Sequence, residues 1–268
     1  MTQSTECTVT PKEPVAPLKE ICLFLSNYAA WLLGCGATCI RIEKNVRRMS
    51  EAFGVTADIN IMPSHIHLSV WNSDQSDSYN NIRKIQKTGI SFNLNTQLSK
   101  LSWAVADGKL TFNEANDAFQ QIQLTRPANK WLVLVLASLA NASFCRLFGG
   151  DPTSMLIVLV ATLAGYRLKQ IMLEDKADVR LVFFCSAFVS SVIAAGGHLF
   201  NWGSTPEIAL GTSVLYLIPG IPYINAVSDL LDGHYLCSFN RLIDAAVLTT
   251  CLSAGLCGGL FLMDLNWF

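Results

Sequence analysis

A short stretch near the end of the chain combines a predicted break in a helix with polar side chains. In "LIPGIPYINAVSDLLDG", Pro219, Gly220 and Pro222 interrupt an apolar region, and Asn225 and Asp229 follow. Proline lacks a backbone N–H and disrupts the preceding helical turn. If a helix resumes at Pro222, Asn225 and Asp229 are four residues apart and share one face. Within a membrane, carbonyl groups freed by such a break persist only where protein buries them or a wet cavity receives them.

This stretch predicts part of a transport path. Discontinuous helices form substrate sites in secondary transporters. A carboxylate such as Asp229 can take up a proton, bind a cation or pair with an arginine. The simpler alternative is a kinked span whose carboxylate lies at the lipid headgroups and pairs with Lys or Arg. The spacing of the residues fits both interpretations.

Two arginines near predicted span ends are further candidates. Arg146 lies about 22 Å into the first predicted span, at 1.5 Å per residue. It either extends to the outer interface or serves as the cationic partner of a carboxylate substrate. Arg241 and Asp244 are three residues apart at the start of the last span, where a local ion pair is predicted.

The composition is that of a membrane protein. The chain has 268 residues, of which 51% are hydrophobic and 15% charged, and its mean hydropathy is +0.36. The net charge of −1 and the lack of a basic tract give no indication of nucleic-acid binding. The nine cysteines form no CxxC pair, so neither a metal site, nor a disulfide framework, nor a cofactor is predicted.

The uneven distribution of charge predicts the domain organisation. Eleven of the nineteen Lys and Arg residues precede residue 126. Residues 1–17 are polar and contain three prolines, which predicts a disordered lead-in without a cleavable signal peptide. Residues 18–126 are predicted to form a small cytoplasmic α+β domain, and residues 127–268 a transmembrane helical domain. The boundary falls near "LTRPANKW" (124–131), where Pro127 ends a helix and Trp131 suits a bilayer interface.

About 20 apolar residues are needed to cross the hydrocarbon core. Five spans are predicted, over 131–149, 152–170, 181–200, Pro206 to about Asp229, and 242–263, with the fourth broken at 219–222. The uncharged segment 21–40 is an alternative sixth span. Gly34 and Gly36 within it favour a turn between two helices instead.

Positive residues in short loops favour the cytoplasmic side of a membrane. With the N-terminal domain in the cytoplasm, only Arg146 among the later cations lies toward the outside. The other seven are Arg126, Lys130, Arg167, Lys169, Lys176, Arg180 and Arg241. This bias predicts an odd number of spans, with the C-terminal "DLNWF" outside.

Within the N-terminal domain, helices are predicted over 18–33 and 41–54, followed by strands in "ADINIMPSHIHLSVW" and over 81–88. Two further helices are predicted near 93–106 and 111–123, the last begun by Asn113 and Glu114. His65 and His67 share one face of a predicted strand. No third ligand is evident from the spacing, so a solvated or hydrogen-bonded pair is preferred to a metal site.

Two blocks of the sequence resemble the threonine/serine exporter family. One is "GCGATCIRIEKNVRRMSEAFG" (34–54), and the more specific one is "IPGIPYINAVSDLLDGHYLCSFNRLIDA" (218–245). The motif of the second block falls on Pro219, Gly220, Pro222, Asn225, Asp229, Gly233 and Arg241. The resemblance extends over about residues 18–265.

The resemblance implies a multi-pass exporter of small polar acids in the bacterial inner membrane, and not an enzyme. Since the chain carries one set of spans, it resembles the larger subunit of the two-chain type. A small membrane partner of four or five spans would supply the second set in a heteromeric oligomer. The expected substrates are threonine or serine, or a succinate-type dicarboxylate.

Two alternatives to a transporter are also considered. One is a membrane-anchored enzyme, in which His65, His67 and Glu43 would act. The other is a scaffold whose N-terminal domain senses a ligand.

Overall fold

The computed structural model describes residues 15–86, 88–125, 128–200 and 202–264. Its described residues form two compact units. The first comprises those in the range Met1–Arg126 together with Ile224–Arg241, and the second those in Pro127–Tyr223 and Leu242–Phe268. The chain therefore passes from one unit to the other within two helices rather than only at the predicted boundary.

Some predictions fall outside the described residues. These are residues 1–14 of the predicted lead-in, Arg126 and Pro127 at the predicted boundary, and residues 265–268 of the C-terminal segment. Val15, from the end of the lead-in, is described, and its N–H donates to the carbonyl of Phe53 at 3.2 Å.

The first unit contains the predicted mixture of helices and strands. Its elements up to residue 125 are α1 (Leu18–Gly34), α2 (Cys39–Ala52), β1 (Val55–Ile61), β2 (His65–Asn72), β3 (Ser78–Lys84), α3 (Phe92–Ala106) and α4 (Phe112–Gln123). The strands form an antiparallel sheet in the order β1-β2-β3. The third strand begins and ends earlier than the predicted 81–88, because its pairing with β2 runs from Ser78, opposite Trp71, to Lys84, opposite His65.

Helix α1 is the central helix of the first unit. It packs on β2 and β3 and buries Ile21, Leu25 and Tyr28 completely. The hydroxyl group of Tyr28 donates to the carbonyl of Leu98 at 2.9 Å. At 17 residues, α1 is at the lower limit of the length that crosses a bilayer, and it packs against the sheet along its length. The structure therefore favours a core helix over a sixth span for this segment.

The turn after α1 depends on two glycines, as predicted. Gly36 has φ +86°, a left-handed conformation that suits glycine at a helix end. A Cβ at Gly34 would collide with the backbone carbonyl of Gln86. The two glycines thus allow the chain to reverse from α1 into α2.

Helix α4 begins with a capping box. The side chain of Thr111 accepts the N–H of Glu114, and the Glu114 carboxylate accepts the N–H of Thr111. These hydrogen bonds hold the pKa of Glu114 below its usual value. The predicted contribution of Glu114 to the helix start is confirmed, whereas that of Asn113 stays a prediction; α4 begins at Phe112, with Thr111 as the cap.

The remaining helices are α5 (Lys130–Leu147), α6 (Pro152–Glu174), α7 (Val179–Leu199), α8 (Pro206–Thr212), α9 (Gly220–Leu231) and α10 (Tyr235–Leu262). Among the described residues, α5, α6, most of α7 and α10 are long and apolar enough to span a membrane. The bent pair Pro206–Leu217 and Gly220–Leu231 forms a fifth candidate. The five predicted spans correspond to these elements in order.

The fourth span is interrupted near the predicted position. A 3₁₀ turn (Leu215–Leu217) follows α8, and the two halves of the span are bent by 60°. The N–H of Gly220 donates to the carbonyl of Ile218 at 2.9 Å, so one carbonyl at the break is already satisfied. Helix α9 begins at Gly220, which places Pro222 in its first turn, where proline costs no helical hydrogen bond. The break therefore centres on Ile218 and Pro219.

Buried polar groups in the second unit are largely hydrogen-bonded, as an apolar surrounding requires. Asn141 of α5 donates to Thr162 Oγ1 at 2.7 Å and to the carbonyl of Thr212 at 3.1 Å. Asp151 caps α6 by accepting the N–H of Ser154 at 2.8 Å. Hydrogen bonds from Ser154 and from the N–H of Ser204 lower the pKa of Asp151 well below its usual value.

Candidate functional site

The polar residues that follow the break contact the turn between α1 and α2. Asn225 donates from Nδ2 to the carbonyl of Gly36 at 2.8 Å. One turn later, Asp229 Oδ1 accepts the backbone N–H of Cys39 at 2.8 Å. The two side chains therefore share one face of α9, as their four-residue spacing predicted. All four residues belong to the first unit.

Asp229 caps helix α2 from a distance of 190 residues in the sequence. Thr38 occupies the N-cap position of α2, but its side chain makes no capping hydrogen bond. The first N–H groups of a helix lack partners within the helix and carry a partial positive charge. Asp229 is fully buried, and its carboxylate satisfies one of these groups. Helix α9 and the start of α2 are thereby held together.

Arg241, in the second turn of α10, supplies the opposite charge. Its Nε lies 3.3 Å from Asp229 Oδ2, and its Nη2 donates to the carbonyl of Ala37 at 2.6 Å. Of the partners considered for Asp229, the structure thus contains the arginine. We refer to the side chains of Asn225, Asp229 and Arg241, with the backbone of residues 36–39, as the Asp229 cluster.

The Asp229 cluster is not fully hydrogen-bonded. Asp229 Oδ2 and Arg241 Nη1 are both buried, and neither has a hydrogen-bond partner among the described residues. A buried ion pair offsets its desolvation only when the remaining lone pairs and protons are also satisfied. This pair is therefore held less tightly than a fully bonded one.

The turn between α9 and α10 brings Arg241 back to Asp229. Gly233 adopts φ +86° there, and the N–H of His234 donates to the carbonyl of Asp229 at 2.8 Å. The His234 side chain lies 3.2 Å from Glu43 of α2. Ser238 adds a hydrogen bond from its hydroxyl to the carbonyl of Ala226, at 2.7 Å.

Sequence reasoning missed the partners that complete this cluster. The groups contributed by Gly36, Ala37 and Cys39 are backbone atoms, which leave no side-chain signal. An indirect signal existed, because the two sequence blocks that carry the family resemblance, 34–54 and 218–245, are the two that meet here.

Other predicted site residues lie in the second unit. Pro219, Gly220 and Pro222 form the break itself and the first turn of α9. Arg146 is exposed in the last turn of α5 and donates from Nη1 to the carbonyl of Gly150 at 3.1 Å. That contact satisfies a carbonyl just beyond the end of its own helix. Asp244 has interactions of its own, and its predicted pairing with Arg241 stays a prediction.

The residues suggested for an enzyme have separate partners. Glu43 pairs with His234, and His65 Nδ1 lies 3.1 Å from its neighbour Ser64 Oγ. Within the described ranges, no group of three or more His, Cys, Asp or Glu residues could hold a metal ion.

The sequence is similar to a family of membrane transporters. Residues 23–263 match the profile of the ThrE family, described as "Putative threonine/serine exporter". The "Probable succinate transporter subunit YjjP" of Escherichia coli is 28% identical over 229 residues, covering 84% of this chain and 88% of that protein. The protein of the same name from Klebsiella aerogenes is 27% identical, covering 84% and 87%.

A more distant relative is longer. The "Probable threonine/serine exporter" of Mycobacterium tuberculosis is 20% identical over 229 residues, which cover 84% of this chain but only 43% of that protein. No solved structure is detectably similar to the chain.

Proposed function

Because the chain belongs to the threonine/serine exporter family, we propose that it is one subunit of a two-chain exporter of small carboxylic acids. Its helices are those of a multi-pass membrane protein, and its family is one of transporters. A succinate-type dicarboxylate is the favoured substrate, with threonine or serine as the second class. The relatives named as succinate transporter subunits match this chain over most of their own length, whereas the named threonine/serine exporter is matched over less than half.

The word "subunit" in the names of two relatives supports a partner chain. We propose that the partner is a small membrane protein of four or five spans, which supplies the second half of the transport path. The assembly lies in the bacterial inner membrane, with the N-terminal part of this chain in the cytoplasm. The excess of Lys and Arg at one set of predicted span ends supports that orientation.

The broken fourth span carries the mechanistic part of the proposal. The span bends by 60° at Ile218 and Pro219, and its second half, α9, is held by Asp229 to the start of α2. We place the substrate path along this span, with Pro219, Gly220, Pro222 and Asn225 beside it. Arg146 stands near its outer end.

In this mechanism the Asp229 cluster is a gate. In the conformation described, the carboxylate is shared between Arg241 and the N–H of Cys39. Neutralising Asp229 by a proton removes the charge that pairs with Arg241 and weakens the hydrogen bond from the N–H of Cys39, so α9 is held less strongly and can turn about the break. Asp229 Oδ2 and Arg241 Nη1 are buried without hydrogen-bond partners among the described residues, which makes the held state less stable. The free-energy difference between the held and released states is therefore small enough for such a switch.

Flux measurements test the proposal. The full chain is produced with the small membrane protein that copurifies with it, and uptake of labelled succinate, threonine and serine is measured in inside-out vesicles. We expect succinate uptake only when both chains are present. Absence of uptake of all three acids by the two-chain assembly contradicts the proposed function.

The gate is tested in the same vesicles by Asp229→Asn, with Asp232→Asn as the matched control. Asp232 directly follows the last residue of α9 and is exposed, and its carboxylate accepts the Ser228 hydroxyl at 3.5 Å. We expect most of the uptake to be lost in the first variant and retained in the second. Equal uptake by both variants, at equal amounts of folded protein, removes Asp229 from the mechanism.

A further inference from the structure

Lys169 of α6 is a half-buried cation for which the described residues supply no carboxylate partner. Its Nζ lies 5.0 Å from the centre of the Phe183 ring and 5.5 Å from that of the Tyr166 ring. The acidic residue of α6, Glu174, is instead paired with Lys130 at 2.8 Å. Ionisable groups inside a helical bundle are costly and commonly mark a substrate or ion site. The ammonium group is thus available to an anionic ligand.

Hydroxyl groups gather along the same seam between α6 and α7. The Tyr216 hydroxyl, from the 3₁₀ turn at the break, lies 3.0 Å from Ser190 Oγ. The ring of Tyr216 packs on that of Tyr166, with centres 5.8 Å apart. Ser186 is completely buried, and its Oγ has no hydrogen-bond partner within the described part of the chain. A buried hydroxyl group without a partner carries a full desolvation cost, which a bound acceptor would offset.

The helix geometry aligns these groups. Phe183, Ser186 and Ser190 are spaced i, i+3 and i+7, so they follow one face of α7 over about 10 Å. On α6, a Cβ at Gly165 would collide with Ser190 Oγ and the Tyr216 hydroxyl. The glycine therefore leaves the space that these hydroxyl groups occupy. The seam has a cation at one end and hydroxyl donors at the other.

The geometry points to a carboxylate-binding site between α6, α7 and the break in the fourth span. The Lys169 ammonium group neutralises a carboxylate of the substrate, and the hydroxyl groups of Ser186 and Tyr216 donate to oxygen atoms of the same molecule. Ser186 gains the acceptor that it lacks. The Tyr216 hydroxyl exchanges its contacts with Ser190 Oγ, at 3.0 Å, and with the carbonyl of Ser186, at 3.4 Å, for one with the ligand. The inference rests on the proposed function and adds the residues that recognise the substrate. Since Tyr216 belongs to the 3₁₀ turn that leads into the break, binding acts directly on the geometry of the broken span.

Binding to the full chain, purified with its copurifying partner, tests the site. The probes are labelled succinate and threonine, and the variants are Ser186→Ala, Tyr216→Phe and Lys169→Gln. Each should weaken binding of the acid by about tenfold or more, the usual effect of losing a hydrogen bond to a charged group. Lys169→Arg should restore part of the affinity. Ser186→Ala should leave the melting temperature unchanged or raised, because the hydroxyl group has no partner to lose.

Two control variants remove a hydroxyl group and an ammonium group at positions outside the proposed site. Ser143→Ala removes an exposed hydroxyl of α5 that bonds its own helix, and Lys176→Gln removes an exposed cation after α6. Both should bind like the unaltered protein. If the unaltered protein binds either acid, and the Ser186→Ala and Tyr216→Phe variants bind that acid equally well, the inference is overturned and the proposed function stands. If the unaltered protein neither binds nor transports either acid, both are wrong.

Discussion

Asp229 of α9 contacts both the start of α2 and the second turn of α10. Its carboxylate neutralises Arg241 and caps α2 in a place that solvent does not reach. A surface ion pair of this length would contribute little to stability. The Asp229–Arg241 pair is buried, so removing either side chain leaves the other as a buried charge without a partner, which strongly destabilises the fold.

At this scale we predict the stability of three variants. Arg241→Met should lower the free energy of unfolding by about 3–5 kcal/mol, because it strands the buried carboxylate of Asp229. Asp229→Asn should also destabilise, since it strands the guanidinium group. The double variant Asp229→Asn/Arg241→Met should regain most of the loss, since no unpaired charge remains and Asn still accepts the N–H of Cys39.

Thermal unfolding of the purified full chain measures these differences. The transport assay separates stability from gating, because the stable double variant should still fail to transport. A double variant that is as unstable as the sum of the two single variants would show that the charges do not interact.

At the scale of elements, the turns rather than the helices required particular residues. The α9–α10 turn places Arg241 beside Asp229 only because Gly233 adopts φ +86°. The hydrophobic pattern predicted the helices on either side of this turn, since a run of apolar residues is a local property of the sequence. The direction in which two helices leave a turn depends on one backbone conformation, which the pattern does not encode.

A pair of glycine variants isolates that conformation. No atom lies within 4 Å of a Cβ built at Gly233 or at Gly196, but only Gly233 has a positive φ. Gly233→Ala should therefore destabilise by about 1–2 kcal/mol, whereas Gly196→Ala, inside helix α7, should stabilise by about 0.5–1 kcal/mol. Melting temperatures of the two variants give the comparison. If the melting temperature shifts in the same direction in both variants, the backbone strain assigned to the α9–α10 turn is contradicted.

At the scale of the whole molecule, the proposed orientation can be tested by labelling. The predicted topology places the loop after α6 in the cytoplasm and the start of α6 outside, so an introduced cysteine should report its side of the membrane. We expect Thr153→Cys to react with a membrane-impermeant thiol reagent in spheroplasts, and Lys176→Cys to react only in inside-out vesicles. Labelling of the unaltered chain measures the reaction of its native cysteines and gives the background. The opposite labelling pattern would reverse the proposed topology.

The sequence by itself determined the main features of the architecture. Composition and apolar runs predicted the five candidate spans, two prolines predicted the break, and alternation predicted the strands of the first unit. These features are local, so nearby residues are enough to specify them. The segment 21–40 was ambiguous because a buried core helix and a short span have the same composition.

Only the tertiary structure decided what the polar residues contact. From spacing alone, Asp229 fitted a transport path and an ion pair at the lipid headgroups equally well. Its partners proved to be Arg241 and a backbone N–H 190 residues away. The unpartnered Ser186 hydroxyl and Lys169 likewise become visible only once α6, α7 and the broken span are packed together. Hydropathy is a sum over neighbours in the chain, whereas the pairing of a buried charge is set by neighbours in space.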